Sequence, residues 1–451
     1  MPSPLVRVAS LLVACLLVVS PARGDDWPQW RGPNRDGVWR ETGLRTALPA
    51  EGIATKWRAE VGGGYGGPAV AGDKVYLMDY VTDGPVTNDP SQRTELSGKE
   101  RVLCFDAATG KPLWTHAYDC PYAISYACGP RCTPTVVDGK VFTLGAEGHL
   151  HCLDAATGKV LWKRHFPADY GTKTPIWGYA GHPLVEGNLV VCMVGGEGSA
   201  VVAFDRDTGK EVWRSLQASE PGYAPPSILE QAGKRRLLTW DADTIAALDP
   251  ATGKPAWTVP LKPGYGMSIM APQVAESGSG RVLFASGIGN IGALYRFPEA
   301  GGGAPEPVWR NRAKASIASA NSTPVILGDV LYGCDCETGF LTAVDLETGD
   351  RLWETGVPTL GSRRGRHGTA FLVREGATDR FWLFSETGDL ILARLTPQAY
   401  EELGRVNLLA PTGECFGREV VWTHPAFAGK HVFARNDKEL VCVPLAADAG
   451  R

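Results

Sequence analysis

The chain has 451 residues, 44% hydrophobic and 21% charged, enough apolar material for a large core. A net charge of −4 with no long basic run excludes an electrostatic footprint for nucleic acid or an anionic membrane. Its 55 glycines and 33 prolines are scattered between short apolar runs, so many short strands joined by many turns, an all-β protein, are expected.

Residues 1–24 place Arg7 before an apolar run from Val8 to Val19 and a small-residue end, Ala22-Arg23-Gly24. That is the pattern of a cleaved signal peptide, too short to span a bilayer comfortably, and predicts export to the periplasm or cell surface. Leu12-Val13-Ala14-Cys15 resembles a lipoprotein processing box, but apolar residues continue beyond Cys15 and argue against lipidation. No second hydrophobic segment follows, so no transmembrane segment is expected. Residues 25–52 hold Trp27, Trp30 and Trp39 among turn clusters without a repeat pattern, and read as a strap packed over the body that follows.

Self-similarity defines that body, residues 53–446. RVLCFDAATGKPLW ends at Trp114, HLHCLDAATGKVLW at Trp162, AVVAFDRDTGKEVW at Trp213, TIAALDPATGKPAW at Trp257 and LTAVDLETGDRLW at Trp353, with a weaker copy ending at Trp309. Successive tryptophans are 44 to 52 residues apart, near the length of a four-stranded propeller blade. In each copy an apolar strand ends at Asp, whose carboxylate can accept turn N–H groups. Thr-Gly supplies a hydroxyl and a residue tolerant of positive φ, and a second strand leaves toward Trp. Asp106, Asp154, Asp205, Asp249 and Asp345 are therefore turn formers, and the tryptophans are expected between neighbouring blades. A seventh unit around Arg380–Leu409 replaces the Asp-Thr-Gly turn by a helix-prone connection at Thr396–Leu403. The last, around Lys430–Leu445, lacks an outer strand, which the segment around Trp57 can donate. The expectation is an eight-bladed β-propeller of four-stranded antiparallel blades, closed by its N- and C-terminal strands.

Cys104, Cys152 and Cys442 sit at equivalent strand positions and read as small core side chains. Cys120, Cys128 and Cys132 fall in one long loop and are the better disulfide candidates in an exported chain. Cys334-Asp335-Cys336 has no second Cys or His pair at zinc-site spacing, so no metal site is expected.

The segments from each Trp to the next inner strand must share the face opposite the Asp-Thr-Gly turns. They are long, rich in Gly, Tyr, Arg and His, and most end in Pro, which suits the first residue of an innermost strand. The ligand-binding candidates are their aromatic residues Tyr65, Tyr126, Trp177, Tyr179, Tyr223 and Tyr265. Arg131, Arg364, Arg366, Asn321, His182, His367 and His424 complete the set. Rings and guanidinium groups suit stacking on, or hydrogen bonding to, a planar cofactor, a sugar or a peptide. No Ser-His-Asp or paired-carboxylate constellation can be assembled, so no catalytic residue is assigned.

The Leu-Asp-x-x-Thr-Gly-Lys-x-x-Trp strings resemble the pyrroloquinoline-quinone (PQQ) repeat family over about Ile53 to Leu445. The segments DWPQWRGPNRDG, GPRCTPTV, YGMSI and FARNDKELVCV resemble exported PQQ-binding-like propellers of planctomycete-type bacteria. The resemblance implies the fold of quinoprotein alcohol dehydrogenases and two functional classes: a non-enzymatic scaffold, or a dehydrogenase holding PQQ with Ca²⁺. The chain has no adjacent Cys-Cys pair, no Cys-x-x-Cys-His and a carboxylate-poor rim. These features favour a monomeric binding propeller without cofactor, recognising a protein or an extracellular ligand such as a glycan. The PQQ- and Ca-dependent alcohol or sugar dehydrogenase is the alternative.

Overall fold

The computed structural model describes residues 25–447 apart from 290, 300 and 313; residues 1–24, where a signal peptide is expected, lie with Cys15 outside the described residues. Eight four-stranded antiparallel units follow one another around a channel. Blade 1 runs Ala69–Ala71, Lys74–Thr82, Gly98–Asp106 and Pro112–Asp119 from inside outward. Blade 2 runs Thr135–Val137, Lys140–Leu144, His149–Asp154 and Val160–His165. Blades 3 to 7 repeat this order, their innermost strands being Leu184–Glu186, Ser227–Gln231, Gln273–Ser277, Val325–Leu327 and Ala370–Glu375. Blade 8 takes three strands from the C-terminus, and Trp57–Glu60 pairs antiparallel with Glu439–Pro444 as its outer strand, Trp57 opposite Cys442. This is the closure expected from the repeat, and it pairs what would otherwise be two sheet edges.

The Asp residues act as turn formers. Asp106 Oδ1 accepts hydrogen bonds from the N–H groups of Ala108 and Thr109 and from the Thr109 hydroxyl, and Asp154 and Asp205 repeat the set. Each turn ends at a glycine with positive φ, and each such glycine lies against a tryptophan of the preceding blade. A Cβ on Gly110 would stand 2.6 Å from Trp57, one on Gly158 2.5 Å from Trp114, and one on Gly209 2.6 Å from Trp162. The same tryptophans donate across the seam, Trp57 to Ala107 O, Trp114 to Ala155 O and Trp162 to Arg206 O. The Trp is thus both a wedge and a hydrogen-bond donor between blades. Where the repeat degenerates, the donor finds another acceptor: Trp257 bonds Gln231 Oε1, and Trp353 bonds Thr396 O.

Two expectations are corrected. The stretch after Thr396 is not helical: Thr396 Oγ1 caps a tight turn by accepting from Gln398 and Ala399, and Tyr400–Asn407 is the outer strand of blade 7. Pairing with Asp389–Leu395 overrides the helix propensity of Ala-Tyr-Glu-Glu-Leu. Cys120, Cys128 and Cys132 are free thiols, as are the other described cysteines. The loop sends the three to different places: Cys128 donates to Asp437 Oδ1, Cys132 faces Tyr179 O, and Cys120 faces His149. Cys104, Cys152 and Cys442 are fully buried, as their strand positions imply.

The strap does more than cover the body. Trp27 exchanges backbone hydrogen bonds with Val70 of blade 1, Pro28 O accepts from Val136 of blade 2, and Val38–Trp39 pairs parallel with the inner strand of blade 7. Between these points Arg35 is buried and donates to Pro183 O (2.5 Å), Pro226 O (2.7 Å) and His182 O, uniting blades 3 and 4. Arg31 reaches Gln273 of blade 5. The strap therefore crosses the channel and plugs it.

Candidate functional site

The loops opposite the Asp-Thr-Gly turns surround a cavity of about 710 Å³ at the channel mouth. Its floor is the strap. Trp30 lies parallel to the His182 ring at 5.0 Å, meets His424 edge-on at 5.9 Å, and His424 packs against Phe371 at 4.2 Å. The indole N–H of Trp30 is buried without a hydrogen-bond acceptor among the described residues. His182 Nδ1 accepts from the Thr133 N–H at 2.9 Å, which assigns the proton of the neutral ring to Nε2. Burial first, then the neighbouring His424 and Arg35, holds His182 well below the usual imidazole range. Burial and Arg31 lower His424 to about 3.

The walls are rings. Trp177 meets Tyr223 edge-on at 5.7 Å, and its indole N–H donates to Pro90 O. Across the mouth, Tyr126 packs near Trp422 at 6.2 Å, and His367 stacks on Phe416 at 5.1 Å. His367 Nδ1 is 3.1 Å from Asn321 Oδ1. Burial, with Arg366 and Arg418 adding repulsion, lowers His367 to about 4. Tyr126, Tyr265 and His367 all have φ between 50° and 59°, a left-handed conformation that non-glycine residues adopt at a cost and that concentrates at ligand clamps. Tyr265 is 80% exposed at the lip.

Eleven of the thirteen candidate residues line this one cavity: Tyr65, Tyr126, Arg131, Trp177, His182, Tyr223, Tyr265, Asn321, Arg366, His367 and His424. Tyr179 does not. It is buried behind the wall, its hydroxyl bonded to Val194 O and its ring against Phe166, because Gly178 turns the chain just before it. Arg364 does not either; it extends over the Phe340 ring to pair with Glu354. Arg131 lines the wall as a framework residue. It donates to the carbonyls of Trp177, Ser125, Tyr126 and Gly129 and lies over the Tyr65 ring. Trp30, Phe371, Phe416 and Trp422 were not among the candidates. Trp422 sits two residues before the His-Pro that opens the last inner strand, in the same loop as the candidate His424.

Among the described lining residues the one carboxylate is Glu337, half-exposed and 3.7 Å from Arg366. A calcium ion takes roughly six to eight oxygen ligands. This lining does not offer that set, and Asn321 Oδ1 is already turned to His367.

The fold is that of solved quinoprotein and assembly-factor propellers. Quinohemoprotein alcohol dehydrogenase from Comamonas testosteroni superposes with a TM-score of 0.60 at 14% identity, over 94% of this chain and 81% of that one. BamB from Moraxella catarrhalis superposes at 0.50 and 16% identity, over 83% and 100%. In sequence, the outer membrane protein assembly factor BamB of Bordetella pertussis is 23% identical over 333 residues, 71% of this chain and 72% of that protein. The family model described as outer membrane protein assembly factor BamB matches residues 98–355 and 241–450, most of the chain, and the chain belongs to that family of PQQ-type repeat propellers.

Proposed function

We propose that this chain is an exported, non-enzymatic binding propeller that seats an apolar anchor side chain of a partner protein's extended segment in the central cavity. The carrying observation is the cavity itself: an aromatic floor and walls and, among the described lining residues, a single carboxylate. A peptide supplies the complement, an apolar side chain for the rings. Neutral His182 and His424 add donors without charge. The family's description as an assembly factor agrees with a protein partner. Export rests on the pattern of residues 1–24.

Selection of a displayed random peptide library on the immobilised chain tests this reading. Enriched peptides are expected to share an aromatic or large aliphatic anchor and to lose at least tenfold in affinity against Trp177→Ala. Peptides that bind Trp177→Ala as well as the unaltered chain would defeat the proposal. The dehydrogenase alternative is tested by calorimetric titration with PQQ, with and without Ca²⁺; calcium-dependent saturable binding at one site would replace the present reading.

A further inference from the structure

Four of the eight histidines, His116, His149, His151 and His165, cluster away from the cavity, at the outer edge where blade 1 meets blade 2. His149 stacks on His165 with ring centroids 4.2 Å apart, and His151 lies 5.4 Å from His116 and 4.5 Å from Tyr118. The repeat does not account for them. The position of His151 is Leu103 in blade 1, Val202 in blade 3 and Ala246 in blade 4, and that of His149 is Ala200 in blade 3. His151 is 3% exposed, and its Nδ1 has no hydrogen-bond partner among the described residues.

Beside this group stand a thiol and a carboxylate. Cys120 follows the outer strand of blade 1 and is fully buried, its Sγ 3.6 Å from Nδ1 of His149. Glu100, on the third strand of blade 1, is also fully buried. One donor atom from each of Glu100, Cys120 and His149 lies within 4.8 Å of the others. Glu100 is oriented by two tyrosines and a backbone amide: Tyr122 (2.6 Å) and Ala146 N–H (2.8 Å) donate to Oε1, and the Tyr118 hydroxyl donates to Oε2. Those three bonds leave one of the roughly four acceptor positions of a carboxylate.

We propose that Glu100, Cys120 and His149 bind a zinc-class divalent transition-metal ion that ties blade 1 to blade 2. The spacing fits. A sulfur and a nitrogen bound to one tetrahedral zinc at about 2.3 Å and 2.0–2.1 Å stand roughly 3.5 Å apart, close to the Cys120–His149 separation. The donor set of one thiolate, one imidazole and one carboxylate selects a borderline ion over the hard cations Mg²⁺ and Ca²⁺. Tyr118, Tyr122 and the Ala146 amide act as the outer shell that holds the carboxylate in place. His149, only partly buried where the other two ligands are fully so, is the way in from solvent. The linear spacing of the three residues conforms to no metal motif, which is why the sequence alone predicts no metal.

Cobalt reports the site directly. The purified, reduced chain is titrated with Co²⁺ alone. The expected result is one equivalent bound, with thiolate-to-cobalt charge-transfer absorption and the visible bands of a tetrahedral ion, both bleached by Zn²⁺. Cys120→Ser abolishes the charge-transfer band, Cys128→Ser retains it, and Tyr122→Phe weakens binding roughly tenfold. His149→Gln, at a partly buried position, also weakens binding at least tenfold. Absence of the charge-transfer band at excess cobalt, its persistence in Cys120→Ser, or unchanged affinity in His149→Gln overturns the proposal.

Discussion

The rings of Trp30 and His182 lie face to face, 5.0 Å apart and 16° from parallel. One belongs to the strap and the other to the start of blade 3, so the contact that floors the cavity also holds the plug in the channel. Replacing Trp30, 3% exposed, by alanine is expected to cost about 3–5 kcal/mol, read as a lowered urea midpoint. Trp30→Phe keeps the stack and is expected to lose less than half as much. Equal losses would mean that ring volume is not what secures the strap.

Arg35 gives a second handle on the same plug. Its guanidinium satisfies the carbonyls of His182, Pro183 and Pro226. Arg35→Met keeps the aliphatic stem but strands these acceptors, at about 1–3 kcal/mol for each one left buried. Arg35→Lys is expected to fall between, because an ammonium cannot reproduce the planar fork. A Met variant as stable as the parent in urea would exclude this role.

Stability should fall with acid because the cavity holds neutral imidazoles. An unfolded histidine protonates near pH 6.5, at about the model-peptide value. Folded His367 stays neutral down to about 4 and His424 to about 3. Between those limits the unfolded chain binds more protons, so the contribution is complete above about pH 6.5 and is lost as pH falls toward 4 and then 3. Each histidine adds at most about 1.4 kcal/mol per pH unit. Urea midpoints measured from pH 7.5 to 4 check this; a His424→Gln, His367→Asn variant should show a shallower decline, and an unchanged slope would assign the acid sensitivity elsewhere.

The seam between blades predicts a contrast between two glycines. Gly209 has φ of +68°, and a Cβ there would stand 2.6 Å from the Trp162 ring; Gly187 has φ of +57° and open space around it. Gly187→Ala carries the left-handed penalty alone, about 1–2 kcal/mol. Gly209→Ala must also displace the tryptophan, and is expected to cost at least about 1 kcal/mol more. Equal unfolding midpoints for the two would show that the seam yields without cost.

Blade count, closure and the turn chemistry of Asp106 and its equivalents were legible because each depends on a local pattern repeated around the ring. The rim was legible for the same reason: once turns are assigned to one face, the other loops share the opposite one. Tyr179 and Arg364 fell outside because loop membership does not determine which way a side chain turns; a left-handed glycine decides it for the first and an ion pair for the second. Trp30 was visible as part of a strap, but its place beneath His182 depends on a path through the channel that no periodicity encodes. The Glu100–Cys120–His149 grouping is invisible in one dimension because neighbouring blades supply its members.

The pairing of Trp57 with Cys442 has a consequence for the order of events during folding. The first strand of the eight blades, Trp57–Glu60, can be paired only after the last one has emerged, so the ring cannot close while the chain is still being delivered. Until then blade 8 is incomplete, and the flank of blade 1 that receives Trp57 stays wet. The intact ring is thus a late, all-or-none product joining the two ends of the chain, and a chain cut short by a few dozen residues at either end loses the latch for the whole circle.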